Sequence, residues 1–507
     1  MSNVTNNKRI AKNTAFLYAR MLITMAIGLF TSRIVLRALG VEDYGIYNIV
    51  GGVVVLFNFV NQSLLSGTQR FLSYELGKIL PDIKTVFSAC AIMHIGLSII
   101  FFIVAETLGL WLVNTQLNLP ETRMIAVNWV YQFSILGCIV QIVRCPFNAA
   151  IISYERMSIY AYISIIEAIF KLVVAYLLVV IICDKLILYS IVTFVILVII
   201  SLIYIVYCYK QLPQVRIIKI NNNPYYKEIF NFSKWTIFGS LANMGKEQGL
   251  NLIINLFYGV TLNAAVGIAN QVNAHISSFV QGFQQALNPQ LTMSEAGKDR
   301  DRQTELILKS SKFSFIIMFA LAIPIMLNLD FLLSVWLGEY PDHTTSLCSI
   351  IILGILIETL SGPLWVSIYA TGKIKIYQIV IGSIALLNIP LSFFSSKFGM
   401  PPEMVYVIRG LIAIVCICVQ LCFLKIYINL NIRIFVKKVI LPISLMLLLV
   451  LPCFIIKSTY FLSTNVDSFL IESISILTYE ILIIGFVGLS KYERVFVIRK
   501  VKNIIKI

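Results

Sequence analysis

Charge is what this chain has least of. Only 13% of its 507 residues are Asp, Glu, Lys or Arg, against 59% hydrophobic. A soluble globule of that size needs far more polar surface to cover its core, so a soluble enzyme or binding module is excluded. Histidine is scarcer still. His94, His275 and His343 are too few and too scattered for a metal centre. The ten cysteines sit singly in apolar stretches, as at Cys90, Cys138, Cys183 and Cys453, with the spacing of neither a zinc site nor a disulfide framework. They read as small buried hydrophobes. Glycine loops of the GxxxxGK[ST] type, HExxH and the nucleophile elbow are absent as well. Neither ATP bound by this chain, nor a metal, nor another cofactor is expected, and neither is an enzyme.

What is present is a series of apolar runs, each about 20 residues long, the length a helix needs to cross hydrocarbon. Hydropathy gives about 14 of them, which makes this an all-α polytopic membrane protein. The first run follows a short basic segment with Lys8, Arg9 and Lys12, contains Arg20 and Arg33, and has no small-residue cleavage site. It reads as a retained helix rather than a signal peptide. Basic residues fall in alternate loops, notably Lys78 and Lys84, Lys210 to Lys227, Lys298 to Lys309, and Arg433 to Lys438. Lysine and arginine mark the cytoplasmic side, so both termini are expected there. The net charge of +16 is then a topology signal and a surface for anionic membrane lipid, not a sign of nucleic-acid binding.

The chain repeats itself. Gly40 to Lys78 runs LGVEDYGIYNIVGG…ELGK and Gly259 to Lys298 runs YGVTLNAAVGIANQ…EAGK, with Asn58, Gln62 and Gln69 matching Ser277, Gln281 and Asn288. Further on, CPFNAAIISYERMSIY from Cys145 pairs with GPLWVSIYATGKIKIY from Gly362, aligning Pro146 with Pro363 and Tyr160 with Tyr377. Both matches have a period of roughly 220 residues, and two in register point to a duplicated bundle. The expected plan is an N-terminal lobe (1–210), a cytoplasmic linker (211–228), a second six-helix lobe of the same orientation (229–428), and two extra helices with a basic tail (429–507).

Two helices of the second copy carry polar stripes. Asn243, Glu247, Asn251 and Asn255 recur every four positions, and Asn270, Asn273, Ser277, Gln281, Gln284 and Asn288 follow at threes and fours, so each set lies on one helical face. Such stripes suit a lobe face turned to water, although asparagine and glutamine also serve as interhelical glue. Ionisable residues within the spans need a partner or a wet cavity. Arg20 and Lys246 read as cavity-lining cations, since neither has an opposite charge at helical spacing except Glu247 beside Lys246. Glu167 and Lys171, four apart, read as a self-satisfied pair. Arg144, near a helix end, reads as a headgroup anchor. Glu247 and Glu358 are candidates for an ion site.

The opening NTAFLYARMLITMAIGLFTSRIVLRALGVEDYGIYNIVGGV, the ELGK and EAGK turns and the ATGKIKIY segment after GPLW resemble the polysaccharide-exporter branch of the multidrug/oligosaccharidyl-lipid/polysaccharide (MOP) flippase superfamily. These are the Wzx-type O-antigen and capsule flippases. The resemblance implies two six-helix lobes that open alternately to each side of the bacterial inner membrane. It also implies an undecaprenyl-diphosphate-linked oligosaccharide as substrate, with H+ or Na+ coupling, and a monomer is expected. Related lipid flippases line a cationic cavity with an arginine of the first helix, the place of Arg20 here. Arg20 and Lys246 would meet the diphosphate, and Asn243, Asn251, Asn255, Asn270, Asn273, Gln281 and Gln284 the glycan. A MATE-type cation-coupled drug exporter and a membrane glycan polymerase or ligase are the alternatives.

Overall fold

The computed structural model describes residues 3–55, 58–115, 120–181, 183–218, 225–460, 466–491 and 493–495. The side chains of Asn58 and Gln62, linker residues 219–224 and most of the basic tail lie outside the described residues. The first half of the chain forms α1 (Asn3–Val55), α2 (Asn58–Leu76), α3 (Ile83–Val104), α4 (Leu110–Thr115), α5 (Met124–Ser153), α6 (Met157–Val180) and α7 (Lys185–Gln211). There follow α8 (Tyr225–Ala296), α9 (Arg300–Leu327), α10 (Leu329–Leu337), α11 (Thr344–Glu358), α12 (Ser361–Ala370), α13 (Lys375–Leu386) and α14 (Asn388–Lys397). The last elements are α15 (Glu403–Ile428), α16 (Ile432–Phe435), α17 (Leu441–Tyr460) and α18 (Val466–Ile483).

Among the described residues, 11 helical stretches are long and apolar enough to cross a membrane. The expected spans outside that set are the end of α1 running into α2, and the two parts of α8. Both parts of α8 carry the polar stripes, and those residues are what lower their hydropathy. The bundle is all-helical, and its apolar side chains face outward where a soluble protein would place polar ones. Tyr176 and Val180 on α6, and Ile471, Ile474 and Phe486 at the end of the chain, are exposed. Such a surface suits hydrocarbon.

α1 and α8 each break at one glycine, Gly40 (φ 80°, ψ 171°) and Gly259 (φ 85°, ψ −179°). That backbone region is essentially confined to glycine. A Cβ built at either position would meet nothing within 4 Å, so conformation rather than crowding selects the residue. The two glycines are equivalent positions of the repeat, and the duplication thus reappears as one backbone device used twice. Loops end where an acidic or amide side chain caps the next helix. Asp82 accepts from the Thr85 amide, Asp184 from the Leu186 and Ile187 amides, and Asp299 from the Arg302 amide. Each cap is worth about 1 kcal/mol.

The chain divides into two compact units: Met1–Leu241 with Gln285–Lys298, and Ala242–Gln284 with Asp299–Ile507. In the first, Phe87, Tyr131, Ile135, Ile151, Ile152 and Met157 are fully buried. Tyr131 donates to the Ala105 carbonyl at 2.7 Å, an approach that only Gly109 permits, since a Cβ there would stand 2.0 Å from the tyrosine oxygen. In the second, Phe315 stacks on Phe319. Gln420 accepts from Ser361 at 2.8 Å and donates to Tyr377 at 3.1 Å, tying α12, α13 and α15 together. The extra helices lean on α9, where Lys312 meets Glu493 at 2.5 Å. Burial pushes the Glu493 carboxyl upward, but the hydrogen bonds from Lys312 and Ser490 outweigh it and hold it below the ordinary range.

Candidate functional site

The first unit gathers charge around α6. Tyr160, Ser164, Glu167 and Lys171 lie along one face at helical spacing, and three neighbouring helices deliver their partners to it. Arg20, from α1, donates Nη1 to the Tyr160 hydroxyl at 3.1 Å, its guanidinium 4.7 Å from the centre of that ring. Arg144, from α5, sits 5.2 Å over the ring of Tyr204 on α7. Lys171 Nζ is 2.8 Å from Glu167 Oε1, and Arg144 Nη1 is 3.7 Å from Glu167 Oε2. Arg20 Nε and Arg144 Nη1 are buried atoms without a hydrogen-bond partner.

The cluster does not balance. Arg144 and Lys171 share the carboxylate of Glu167 while Arg20 lies on Tyr160, so among the described residues the cluster holds three cations and one carboxylate. Stacking on tyrosine stabilises each guanidinium by about 0.5–2 kcal/mol, less than the roughly 2.5–3.5 kcal/mol that a cation costs at mid-bilayer. A group of this kind is suited to an anionic ligand with several acceptor oxygens. Glu167 and Lys171 pair as their spacing indicates. Arg144 is not the headgroup anchor that its place near a helix end suggests, for its side chain is only 15% exposed and points at Glu167.

The second unit holds a balanced group instead. Arg409, on α15, reaches Glu247 Oε2 of α8 at 3.1 Å and Glu358 Oε1 of α11 at 3.3 Å, and its Nη2 lies 3.5 Å from Glu358 Oε2. Lys246 Nζ is 3.2 Å from Glu247 Oε1. Two cations and two carboxylates sum to zero. Lys246, expected as a cavity-lining cation with Glu247 beside it, is tied to that neighbour, with its side chain 12% exposed. The two candidate ion ligands, Glu247 and Glu358, are brought together, but a guanidinium already bridges them. Spacing along one helix could not reveal Arg409 as their partner, because the three residues come from three helices.

The polar stripes divide. Asn243, Asn255 and Gln281 are exposed, and Asn251, Asn270 and Asn273 are half-buried. Ser277 donates to Asn273 Oδ1 at 3.0 Å, a bond within the stripe itself. Gln284 behaves as helix glue: its Nε2 donates to Ser314 and to the Thr359 carbonyl, both at 3.0 Å. A Cβ at Gly362 would stand 2.3 Å from the Gln284 amide oxygen, so that glycine makes the contact possible. His94 is a packing residue, its Nδ1 2.8 Å from the Cys90 carbonyl, and His343 lies 2.7 Å from Glu403. Among the described residues no group of His, Cys, Asp and Glu could hold a metal ion.

Comparison with known proteins supplies the wider frame. A family model described as polysaccharide biosynthesis protein matches residues 34–342. A search of curated proteins finds no match. Among solved structures, an outward-facing multidrug resistance MATE transporter of the MOP superfamily superposes with a TM-score of 0.71 at 12% identity, over 83% of this chain and 96% of its own. A MOP superfamily transporter from Pyrococcus furiosus, whose binding pocket is described as reversed in polarity, gives 0.70 at 12% identity with the same coverage. MATE in complex with MaD3S gives 0.68 at 13% identity, over 83% of this chain and 97% of its own. At such identities the likeness concerns the fold alone.

Proposed function

This chain belongs to the polysaccharide biosynthesis protein family, and from that premise we propose that it is a MOP-superfamily flippase for an undecaprenyl-diphosphate-linked oligosaccharide. It moves that lipid from the inner to the outer leaflet of the bacterial inner membrane by alternating access, for surface polysaccharide synthesis. The observation that supports this reading is the excess of cations over carboxylates around α6 among the described residues, with a buried Arg20 Nε that has no hydrogen-bond partner. A diphosphate diester carries two negative charges and oxygens enough for both guanidinium groups. The glycan needs hydrogen-bond partners, which Asn243, Asn251, Asn255, Asn270, Asn273 and Gln281 offer, and the prenyl tail can stay in lipid.

The acids of α8 and α11 serve an organic-cation exporter poorly, because Glu247 and Glu358 are already countered by Arg409 and Lys246. Glu247 and Glu358 remain the proposed coupling residues, with Arg409 as the internal cation that an incoming H+ or Na+ must displace. The test is complementation of a strain that lacks its own exporter. Arg20→Ala with Arg144→Ala is expected to abolish surface glycan while the protein still inserts at wild-type level. Wild-type glycan in that double variant would overturn the assignment.

A further inference from the structure

The last helices of the second unit, α17 and α18, pack on each other and on α9. On α17 the buried residues Ile443, Met446 and Val450 recur at threes and fours, and Cys453 continues that line. A Cβ at Gly488, in the π-helical turn that follows α18, would stand 3.1 Å from Met446 Sδ and 3.4 Å from Ile316 Cδ1 of α9. Three helices therefore close together there. Two turns back along α18 and two turns on along α17, the same antiparallel packing sets position 480 level with Cys453.

The buried faces demand an apolar residue at that place, and the chain has Glu480. Its side chain is fully buried, and neither carboxyl oxygen has a hydrogen-bond partner among the described residues. The neighbouring helices bring no countercharge among the described residues either. α9 has no titratable residue between Lys312 and Leu327, and the turn Ile484–Gly488 has none. On α18 itself, Glu472 lies about two turns earlier and is another acid, while Tyr479 donates to the Leu449 carbonyl at 3.0 Å. α17 sets the Cys453 thiol beside the carboxyl, and the side chains of Lys457 and Tyr460 lie outside the described residues. An isolated carboxylate in such a contact is the costliest form of the group, and a carboxyl so placed binds a proton instead. The main chain offers that proton an acceptor. Pro452 lies inside α17 and has no amide hydrogen, so the Leu448 carbonyl lacks its helical donor.

We propose that Glu480 is a proton-binding site, and that the bound proton is what lets α18 dock against α17 and α9. In the docked arrangement the group is the carboxylic acid, which an apolar contact holds. One proton lost to solvent leaves a carboxylate that the same contact cannot hold, and α18 loosens; no other bond changes. The pair Lys312–Glu493 keeps the end of the chain near α9 while docking is lost and regained. This site is separate from Glu247 and Glu358, and it does not depend on the nature of the transported substrate.

Infrared spectroscopy of the full chain in nanodiscs tests the state of the group directly. The difference spectrum between wild type and Glu480→Gln at pH 7 is expected to contain the carbonyl band of a protonated carboxyl, shifted on exchange into D2O. A pair of carboxylate bands in its place would overturn the proposal. Melting in detergent from pH 5 to pH 8 tests the docking. A carboxyl that is ionised in the unfolded chain and neutral in the fold takes up a proton on folding, so stability falls as pH rises. Relative to Glu480→Gln, wild type is expected to lose up to about tenfold in its folding equilibrium per pH unit. Glu480→Leu, which has no proton to bind, is expected to follow Glu480→Gln. Equal slopes for wild type and Glu480→Gln, or a Glu480→Gln protein less stable than wild type at every pH, would mean an ionised and partnered carboxylate and would overturn the site.

Discussion

At the residue scale, the strongest energetic claim concerns Arg409. Removing one partner of a buried ion pair leaves its counterion stranded, at a cost of about 3–5 kcal/mol. Arg409→Gln strands Glu358 and leaves Glu247 with Lys246 alone, and it is expected to lower the melting temperature in detergent. The double variant Arg409→Gln, Glu358→Gln, which keeps the Lys246–Glu247 pair, is expected to recover much of that loss. An Arg409→Gln protein as stable as wild type would mean that the bridge is not formed. Arg123 bridges Asp43 and Asp184 at 2.7 Å on each side. Burial raises the Asp184 carboxyl, but Arg123 and the capped amides lower it more, and the net shift is downward. A depressed folded-state value stabilises the fold above the ordinary carboxylate value of about 3.9 and is lost as pH falls through the depressed one. Melting measured from pH 6 to pH 3 is expected to fall more steeply for wild type than for Asp184→Asn; equal slopes would contradict the bridge. Arg20 could be read from sequence because it is a lone charge in an apolar helix. Arg409 is legible in the same way as a charge within a span, but its partners and those of Arg144 are not, because they come from distant helices and only the fold sets them side by side.

At the scale of the element, Gly40 and Gly259 are the test of the duplication. Each occupies a conformation that costs another residue on the order of 1–3 kcal/mol, with free space around the missing Cβ. Gly40→Ala and Gly259→Ala are therefore expected to destabilise by similar amounts, read as similar drops in melting temperature. A loss at one site and none at the other would show that the two kinks are not equivalent. Recurring motifs announced this pairing, and with it most of the helical order. Hydropathy was less informative for α8, since a helix that carries polar stripes hides from a scale built to find apolar ones. Gln284 shows the limit of a stripe: its place on the face suggested water, whereas its amide is spent on Ser314 and Thr359.

At the scale of the whole molecule, the two units differ in electrostatics although they share a repeat. One carries a double positive surplus about α6, and the other a neutral group of four. Under the proposed function, the cluster of the first unit is the one that takes the anionic part of the lipid. Composition foretold an all-helical membrane bundle. The unequal division of charge became visible only once α1, α5, α6 and α7 were placed together. The most direct measurement is lipid binding by the purified chain in nanodiscs, comparing undecaprenyl diphosphate with undecaprenyl monophosphate. The wild-type chain is expected to prefer the diphosphate by at least about tenfold, the ratio that roughly 1.4 kcal/mol confers, and Arg20→Ala with Arg144→Ala to erase the preference. Equal affinity of the wild-type chain for the two lipids would contradict the dianion site.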